Sequence, residues 1–242
     1  MLKTQIGRTK LMAAPARLPA GERVYAIGDI HGCLAELEQL HEAIADDFAA
    51  HPVRRATLVH LGDYIDRGPD SAAVLTRIMT PPAYLEGMRI INLLGNHEAM
   101  LLDALDGDEL VAEAWRANGG DAALESWDAT GSNWRLAIPA AQITFLRQLP
   151  LMHVQGGYVF VHAGLNPNLA LADQSRDDLL WIREPFLYFG GQLTHIVVHG
   201  HTPEAESPIV GRHRIGVDTG AVFGGPLTCV VLNGDKMRFL AV

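Results

Sequence analysis

The chain has 242 residues, of which 48% are hydrophobic and 19% charged, enough apolar material for one large α/β domain. Its net charge of -9 disfavours a general nucleic-acid or anionic-membrane surface, because such partners are usually bound by a clustered excess of Lys and Arg. The two cysteines, Cys33 and Cys229, form no CxxC pair, which excludes a zinc ribbon or disulfide framework and fits a reducing cytoplasm.

The first 20 residues mix charges, Ala and Pro without periodicity, and we interpret them as an N-terminal tail or short leader. They lack the continuous apolar run of a secretory signal. Apolar stretches elsewhere are strand-sized, well short of the ~20 residues that span a bilayer. We therefore expect residues 21–242 to form a single catalytic domain. We expect it in the cytoplasm, with no membrane or nucleic-acid partner.

From residue 23 onward, short β-branched runs alternate with helical patterns. Strand and helix pairs are predicted at 24–27 with 34–48, 58–61 with 71–79, and 90–94 with 98–105. This alternation is typical of an α/β protein. Polar residues just past the carboxyl ends of such strands share one crevice, so we expect them to lie close together.

Residues 106–138 carry three tryptophans among glycines, and the pattern predicts a helical insertion followed by an irregular loop, a cap beside the crevice. Trp115, Trp127 and Trp134 would either line a pocket or pack in the core. The remainder is β-rich, with the last two strands forming a hairpin around Asn233-Gly234-Asp235. The strands are predicted over 159–161, 195–198, 214–217, 227–232 and 236–242.

Five short motifs follow predicted strands, and each offers carboxylate, amide or imidazole ligands. They are Gly28-Asp29-Ile30-His31-Gly32, Gly62-Asp63-Tyr64-Ile65-Asp66-Arg67-Gly68, Gly95-Asn96-His97-Glu98, His162-Ala163-Gly164 and Gly200-His201-Thr202. Singly, each motif is weak, because Asp and His at strand ends are usually caps or turn residues. Five in this order indicate a joint site.

Two divalent metal ions are the cofactor that these residues predict. Asp29 and His31 lie two residues apart and share one face of an extended chain, so together they can hold one ion, and the two oxygens of Asp63 can bridge two. Mixed oxygen and nitrogen ligands suit manganese, iron or zinc better than calcium, and we favour manganese. Neutral ligands for the second ion would come from Asn96, His162 and His201.

Such a metal pair, ~3.5–4 Å apart, activates a bridging water for in-line attack on phosphorus and stabilises the entering and leaving oxygens. His97 is the natural general acid for the leaving group, with Asp66 placed to orient its imidazole. Arg67 and Arg183 are the expected clamps, because a guanidinium can fork onto two phosphate oxygens.

The motif series resembles the calcineurin-like metallophosphoesterases, specifically the protein-phosphatase branch that includes calcineurin and the small lambda-phage type of serine/threonine phosphatase. The likeness runs from about residue 24 to the C-terminus. It implies a four-layer α/β/β/α sandwich with two central mixed β-sheets. It also implies that Asp29, His31 and Asp63 hold metal 1, and that Asp63, Asn96, His162 and His201 hold metal 2. Phosphate would be bound by residues matching Arg67, Asn96, His97 and Arg183.

Other motif-like residues favour structural interpretations. Asp218-Thr219-Gly220 matches an aspartic-protease string, but a tight turn near the site is the better interpretation, since no second copy exists. His199 lies two residues before His201 and is expected to support the ligands or the fold. Cys33 begins a predicted helix, where thiol pKa values fall, yet a buried structural role is favoured.

The activity that fits best is hydrolysis of phosphate monoesters on phosphorylated proteins or small esters. A symmetric dinucleoside-tetraphosphate hydrolase is an alternative, resembled in GDIHGC and in the 219–229 segment. Those enzymes generally lack the Asp of DRG and have GNHD, whereas this chain has Asp66 and Glu98. A catalytically inactive protein that binds phospho-ligands is the third hypothesis, and the complete ligand set with His97 disfavours it.

Overall fold

The protein is described by a computed structural model covering residues 7–129, 131–204 and 207–242. Its strands are β1 (Gly7–Arg8), β2 (Met12–Ala13), β3 (Glu22–Ile27), β4 (Arg55–His60), β5 (Met88–Asn92), β6 (Met152–Gln155), β7 (Tyr158–Val161), β8 (Ile196–His199), β9 (Ile209–Val210), β10 (Arg214–Gly216), β11 (Thr228–Asn233) and β12 (Lys236–Ala241).

The α-helices surround these strands. They are α1 (Leu34–Ala50), α2 (Ser71–Met79), α3 (Asn96–Asp106), α4 (Glu109–Trp115), α5 (Asp121–Ser126), α6 (Trp134–Ala137), α7 (Ala140–Arg147) and α8 (Arg176–Trp181). A π-helical turn, Arg116–Gly120, joins α4 to α5. Short 3₁₀ turns cover Ala83–Leu85, Leu171–Asp173 and Ala221–Phe223.

Two mixed sheets form the centre. The first has the order β1-β12-β11-β3-β4-β5, with β2 also paired to β12, and the second has the order β6-β7-β8-β10-β9. Strands β3, β4 and β5 run parallel, as do β7, β8 and β10, while their other neighbours are antiparallel. The predicted fold class, α/β with two central mixed sheets, is confirmed.

Alternating side chains assign each strand face to a different layer. In β3, Val24 and Ala26 pack between the sheets, whereas Tyr25 and Ile27 face the helices α1 to α3. In β7, Phe160 also faces the inter-sheet core, and Val159 faces α8 and the loop after it. Because side chains on each strand alternate between its two faces, both sheets are covered on both sides and the fold has four layers. The outer layer beside the second sheet consists of one short helix and loops.

Predicted elements and observed elements differ mainly at their ends. The helix predicted at 71–79 has those bounds. The helix predicted at 34–48 extends by two residues, to Leu34–Ala50, and the one predicted at 98–105 extends by three, to Asn96–Asp106. The sequence patterns did not predict β6, β9, α7 or α8, which are short and depend on packing rather than on their own periodicity.

The segment predicted as a tail contributes β1 and β2, which pair with β12, and its Leu18 is buried. Its first six residues lie outside the described part. The insertion forms α4 to α6, with α4 against α3 and α5 against α2. In the described chain, no helix is long and apolar enough to cross a membrane.

Candidate active site

Six strand ends supply the candidate site. The loops after β3, β4 and β5 come from the first sheet, and those after β7, β8 and β10 from the second. Because each set of three strands is parallel, its carboxyl ends meet at one edge of its sheet, and the contacts of Asn96 with His162 and His201 show that the two edges adjoin. The side chains brought together there are Asp29, His31, Asp63, Asn96, His162, His201 and Asp218.

Left-handed backbone conformations concentrate at these loops. Non-glycine residues with positive φ in the described chain number six, and only Asp128 lies outside the motifs. Such conformations cost free energy for residues with a Cβ and persist where surrounding structure imposes them, which is typical of functional sites. The five in the motifs are His31, Asp63, Asp66, Arg67 and His201.

The Asp63 carboxylate faces a histidine on each side. Its Oδ2 lies 3.4 Å from His31 Nε2, and its Oδ1 lies 3.4 Å from His162 Nε2. Each imidazole has Nδ1 hydrogen-bonded to a main-chain carbonyl, of Ile65 at 2.8 Å and of Leu61 at 3.0 Å respectively. Nδ1 therefore carries the proton, which leaves both Nε2 atoms unprotonated and able to ligate a cation beside Asp63.

A second set of ligand atoms surrounds the amide oxygen of Asn96. His162 Nε2 lies 2.7 Å from Asn96 Oδ1, and His201 Nδ1 lies 2.9 Å from it. Ligands about 2.1 Å from one ion and at right angles to each other are about 3 Å apart. Asn96, His162 and His201 are thus spaced as the ligands of a single cation would be.

Asp29 is held on the other side of Asp63. Both of its carboxylate oxygens accept the His201 backbone N–H at 3.1 Å. A Cβ on Gly200 would overlap the Asp29 carboxylate, so only glycine permits this approach. Burial, and then the carboxylates of Asp218 and Asp63, raise the pKa of Asp29 well above its usual value.

This donor set fits divalent cations. Buried carboxylates in contact are unfavourable unless a positive charge accompanies them, and burial also raises the pKa of Asp63 well above its usual value. The imidazoles are buried too, which keeps them neutral and ready to ligate, because burial lowers their pKa values. Two groups in the described chain could hold an ion: His31 with Asp63 and His97, and Asp29 with Asp63 and His162.

His97 and Asp66 form a buried pair beside this cluster. His97 Nδ1 lies 2.7 Å from Asp66 Oδ2, which leaves Nε2 directed toward the centre, 4.0 Å from Asp63 Oδ2. Burial, and then the Arg67 guanidinium, lower the pKa of His97 to about 3. A bound phosphate dianion would act in the opposite direction, because it favours the imidazolium.

A cavity of about 410 Å³ opens over the cluster. Arg67 and Arg183 both line it, together with the aromatic side chains of Trp181 and Phe223. Arg67 Nη1 donates to His31 Nε2 at 2.7 Å, and its guanidinium lies 5.7 Å from the centre of the Phe223 ring. Arg183 is exposed and close enough to His201 to contribute to the lowering of its pKa. The two predicted clamps therefore share one cavity.

Glu98 supports the loop that carries Asp63, a role that its place in the GNHE motif did not predict. Its carboxylate accepts the N–H groups of Asp63 and Gly95 through Oε2, at 2.8 and 2.9 Å, and those of Tyr64 and Ile65 through Oε1, at 2.7 and 3.2 Å. It thereby fixes the loop that carries Asp63. The available signal was half of a capping box: Glu98 is the third residue of α3 and bonds the Gly95 N–H, whereas glycine has no side chain to complete the box.

Several candidates lie outside the cluster. His199 contacts Arg214 and the ring of Phe186, away from the predicted ligands. Cys33 is half-buried, and burial raises the pKa of its thiol to about 11, so the helix N-terminus does not activate it. The tryptophans of the insertion pack in the core, and the aromatic wall is instead formed by the fourth, Trp181.

Asp218 is another residue that motif analysis left without a chemical role. It lies in the cavity wall, accepts the Gly220 N–H at 3.0 Å, and contacts the Asp29 carboxyl group. The structure therefore has the predicted turn near the site. In addition, the Asp218 carboxyl group adds negative charge to the cluster.

Residues 22–229 match the model of the calcineurin-like phosphoesterase family, and the chain belongs to this family. It is 33% identical to serine/threonine-protein phosphatase 1 of Salmonella typhimurium over 216 residues, which cover 85% of this chain and 89% of that protein. It is 30% identical to the asymmetrical bis(5'-nucleosyl)-tetraphosphatase PrpE of Bacillus thuringiensis over 230 residues, covering 84% and 88%.

Solved structures show the same fold. A candidate diadenosine tetraphosphatase superposes with a TM-score of 0.64 at 24% identity, covering 93% of this chain and 98% of that one. The cold-active protein tyrosine phosphatase of a psychrophilic Shewanella superposes with a TM-score of 0.59 at 18% identity, covering 95% and 82%. Both likenesses concern the fold alone. The membership of a phosphoesterase hydrolase family rests on the family match and the relatives in sequence.

Proposed function

We propose that this chain hydrolyses phosphate monoesters as a dinuclear metallophosphatase of the serine/threonine protein-phosphatase type. The observation that carries the proposal is the Asp66–His97 pair, at 2.7 Å, with His97 Nε2 facing the ligand cluster. An alkoxide leaving group needs a proton in the transition state, and a buried imidazole oriented by a carboxylate is suited to supply one.

The assignment of ligands to the two metals comes from the family resemblance, and the distances around Asp63 and Asn96 support it. Metal 1 would be held by Asp29, His31 and Asp63, and metal 2 by Asp63 together with Asn96, His162 and His201. Two divalent ions would supply positive charge to the phosphate and lower the pKa of a water for attack. Manganese is our first expectation, with iron or zinc as alternatives, because the ligands combine oxygen and nitrogen.

The protein's own groups would then bind and orient the ester. Arg67 and Arg183 line the cavity from which the phosphate would enter, and each can donate two hydrogen bonds to non-bridging oxygens. Asn96 has an amide N–H₂ group beside its ligating oxygen, which is available to the same phosphate. His97 would donate its Nε2 proton to the leaving oxygen, while Asp66 holds the Nδ1 proton.

Hydrolysis of dinucleoside tetraphosphates is a second candidate function. The relative PrpE is named for the asymmetrical reaction, whereas the sequence motifs suggested the symmetric one. The feature of this chain that favours a nucleotide is the aromatic wall, in which Trp181 and Phe223 are 44% and 69% exposed. Exposed aromatic side chains beside a phosphate site can stack on a nucleobase.

A panel of substrates decides between these activities. Phosphoserine, phosphothreonine and phosphotyrosine peptides, diadenosine tetraphosphate and nitrophenyl phosphate are each assayed with manganese at equal concentrations. Preference for phosphoserine or phosphothreonine supports our proposal. Release of ATP with AMP would indicate the asymmetrical nucleotide reaction, and release of ADP alone the symmetric one. No turnover of any substrate, with both metals bound, would indicate a binding protein and contradict the proposal.

We expect the natural partner to be a phosphorylated protein or a small phosphate ester. The net charge of -9 is the reason that nucleic acid and anionic membranes are not expected to bind. A cytoplasmic location remains a prediction from cysteine usage.

A further inference from the structure

The buried carboxylate of Asp66 receives a second donor from a distant part of the chain. Asp66 Oδ2 accepts both the His97 Nδ1–H at 2.7 Å and the Trp115 indole N–H at 2.9 Å. Its other oxygen, Oδ1, has no hydrogen-bond partner among the described residues, and the residue is fully buried. The orientation of this carboxylate therefore depends on two hydrogen bonds at one oxygen.

Trp115 is rigidly held for this purpose. Its side chain is 1% exposed and packs against the ring of Trp134, with the centroids 5.4 Å apart. The backbone of Gly120 lies directly on the indole, where a Cβ would be only 2.5 Å from the ring. An indole packed this tightly cannot follow Asp66 if that carboxylate rotates.

The π-helical turn that contains Gly119 and Gly120 also contacts Arg67, the residue after Asp66. The Gly119 carbonyl accepts the Arg67 N–H at 3.0 Å, and a Cβ on Gly119 would be 2.7 Å from Arg67 Cγ. Asp66 and Arg67 both have positive φ, 73° and 68°, so each is in a conformation that needs outside support. The π-helical turn after α4 supplies that support to the two residues together.

We propose that Trp115 is a positioning residue: its indole N–H, with the Gly119 carbonyl, holds Asp66 and Arg67 so that His97 presents Nε2 to the leaving group. This inference rests on the proposed function, because it assigns Trp115 a role through the His97 acid. It also gives the insertion a role in catalysis. Trp115 and Gly119 would act by supporting the loop of Asp66 and Arg67, and not by contact with substrate.

The charge balance of Asp66 agrees with this role. Burial raises the pKa of Asp66 well above its usual value, and the Trp115 hydrogen bond is the largest influence that lowers it. Removing the indole N–H would leave a buried carboxylate with His97 as its remaining side-chain partner. The imidazole would then lose the fixed acceptor that defines its tautomer and ring plane.

Trp115→Phe removes the donor and keeps an aromatic ring. We expect kcat on an alkyl phosphate to fall about tenfold, the effect of about one hydrogen bond, while kcat on nitrophenyl phosphate stays within about threefold. KM and metal content should not change. Placing benzothienylalanine at position 115, where sulfur replaces the N–H in a ring of the same shape, should give the same split even if Trp115→Phe does not fold.

Trp127→Phe is the matched control. Its indole also donates one hydrogen bond, to Gln142 Oε1 of α7 at 2.7 Å, whereas the donor to Asp66 is Trp115. We expect the ratio of alkyl to aryl turnover to remain that of the wild type. A similar change of ratio in both variants would overturn the inference, since it would mean that general loosening of the insertion is the cause.

A double-mutant cycle tests whether Trp115 acts through His97. If it does, Trp115→Phe has little further effect in a His97→Asn background. Fully additive losses, equal losses on both esters, or wild-type kinetics of the benzothienyl variant would each disprove the inference. Failure of the proposed function looks different: the wild type would not hydrolyse phosphomonoesters, or His97→Asn itself would show no leaving-group dependence.

Discussion

The ligand cluster and the insertion contribute to the same site in different ways. The predicted ligands follow strands, and main-chain groups orient several of them, as the carbonyls of Ile65 and Leu61 orient His31 and His162. The insertion sends no tryptophan into the cavity. It instead holds the loop of Asp66 from behind, through Trp115 and Gly119.

This difference separates two kinds of site residue. Ligands need a particular atom at a particular distance, so their residue types and spacing are visible in short motifs. A supporting residue needs only one donor in the right place, which many residues on many elements could provide. If this comparison is right, variants of the cluster should abolish activity, and variants of the support should change its leaving-group dependence.

The largest effect is expected from Asp63→Asn. The amide has one oxygen where the carboxylate has two, so it cannot bridge two cations, and we expect loss of at least one metal per chain. Activity should fall by about a thousandfold or more. Metal analysis of the purified variant, together with kcat on nitrophenyl phosphate, measures both effects.

Asp173→Asn, at an exposed position outside the cavity, is the control and should keep full metal content. Undiminished turnover of the wild type in excess chelator would contradict the metal requirement altogether. It would leave the cluster as a structural feature.

The sequence allowed much of the fold and the ligand set to be proposed. Alternation in β3 and the motif spacing were local signals, and the strand-end rule then placed distant motifs side by side. Trp115 escaped prediction because its partner, Asp66, is 49 residues away and no periodicity relates them. Asp218 escaped because a residue in a tight turn has the same sequence signal whether or not it faces a charge.

His97→Asn is expected to have the next largest effect, and it depends on the substrate. Without the acid, kcat on alkyl phosphates should fall by about 10² to 10⁴, whereas nitrophenyl phosphate, with a good leaving group, should lose far less. Metal content should stay at that of the wild type. Equal losses on the two esters would show that His97 is a ligand or a structural residue, as its place in one of the possible ion-holding groups would allow.

Arg67→Lys and Arg183→Lys test the two clamps. Lysine keeps the charge but loses the planar fork, so each variant should weaken catalysis and inhibition by inorganic phosphate together, by about 1.5–3 kcal/mol. Both should retain the metals. Inhibition constants for phosphate provide the measurement.

The matched control for the clamps is Arg176→Lys, an exposed position on α8 outside the cavity, where we expect a change within about 0.5 kcal/mol. If Arg183→Lys behaves like this control while Arg67→Lys does not, Arg183 is a surface residue. The second clamp would then be another group in the cavity wall, with Asn118 of the insertion as the next candidate.

The smallest effect concerns stability and a pair of histidines outside the cluster. His41 Nε2 lies 2.8 Å from His60 Nε2, and both side chains are buried. Burial lowers their pKa values, to about 2 for His41 and about 4 for His60. A low imidazole pKa therefore does not by itself identify a metal ligand. In this pair, burial lowers the pKa of histidines that are not among the predicted ligands.

Because these pKa values lie below the ~6.5 of an unfolded chain, acid protonates the unfolded state first. The stabilisation is fully present above pH 6.5 and is lost as pH falls below that value, down to about pH 4 for His60 and about pH 2 for His41. His41→Gln removes one group that binds a proton only in the unfolded state, so the fall in unfolding free energy between pH 6 and pH 5 should be smaller by about 1.2 kcal/mol. Urea unfolding of both proteins measures the slopes, and their difference cancels the contribution of the metal-site histidines. An unchanged slope in His41→Gln would mean that His41 accepts a proton in the folded protein, with water reaching its Nδ1.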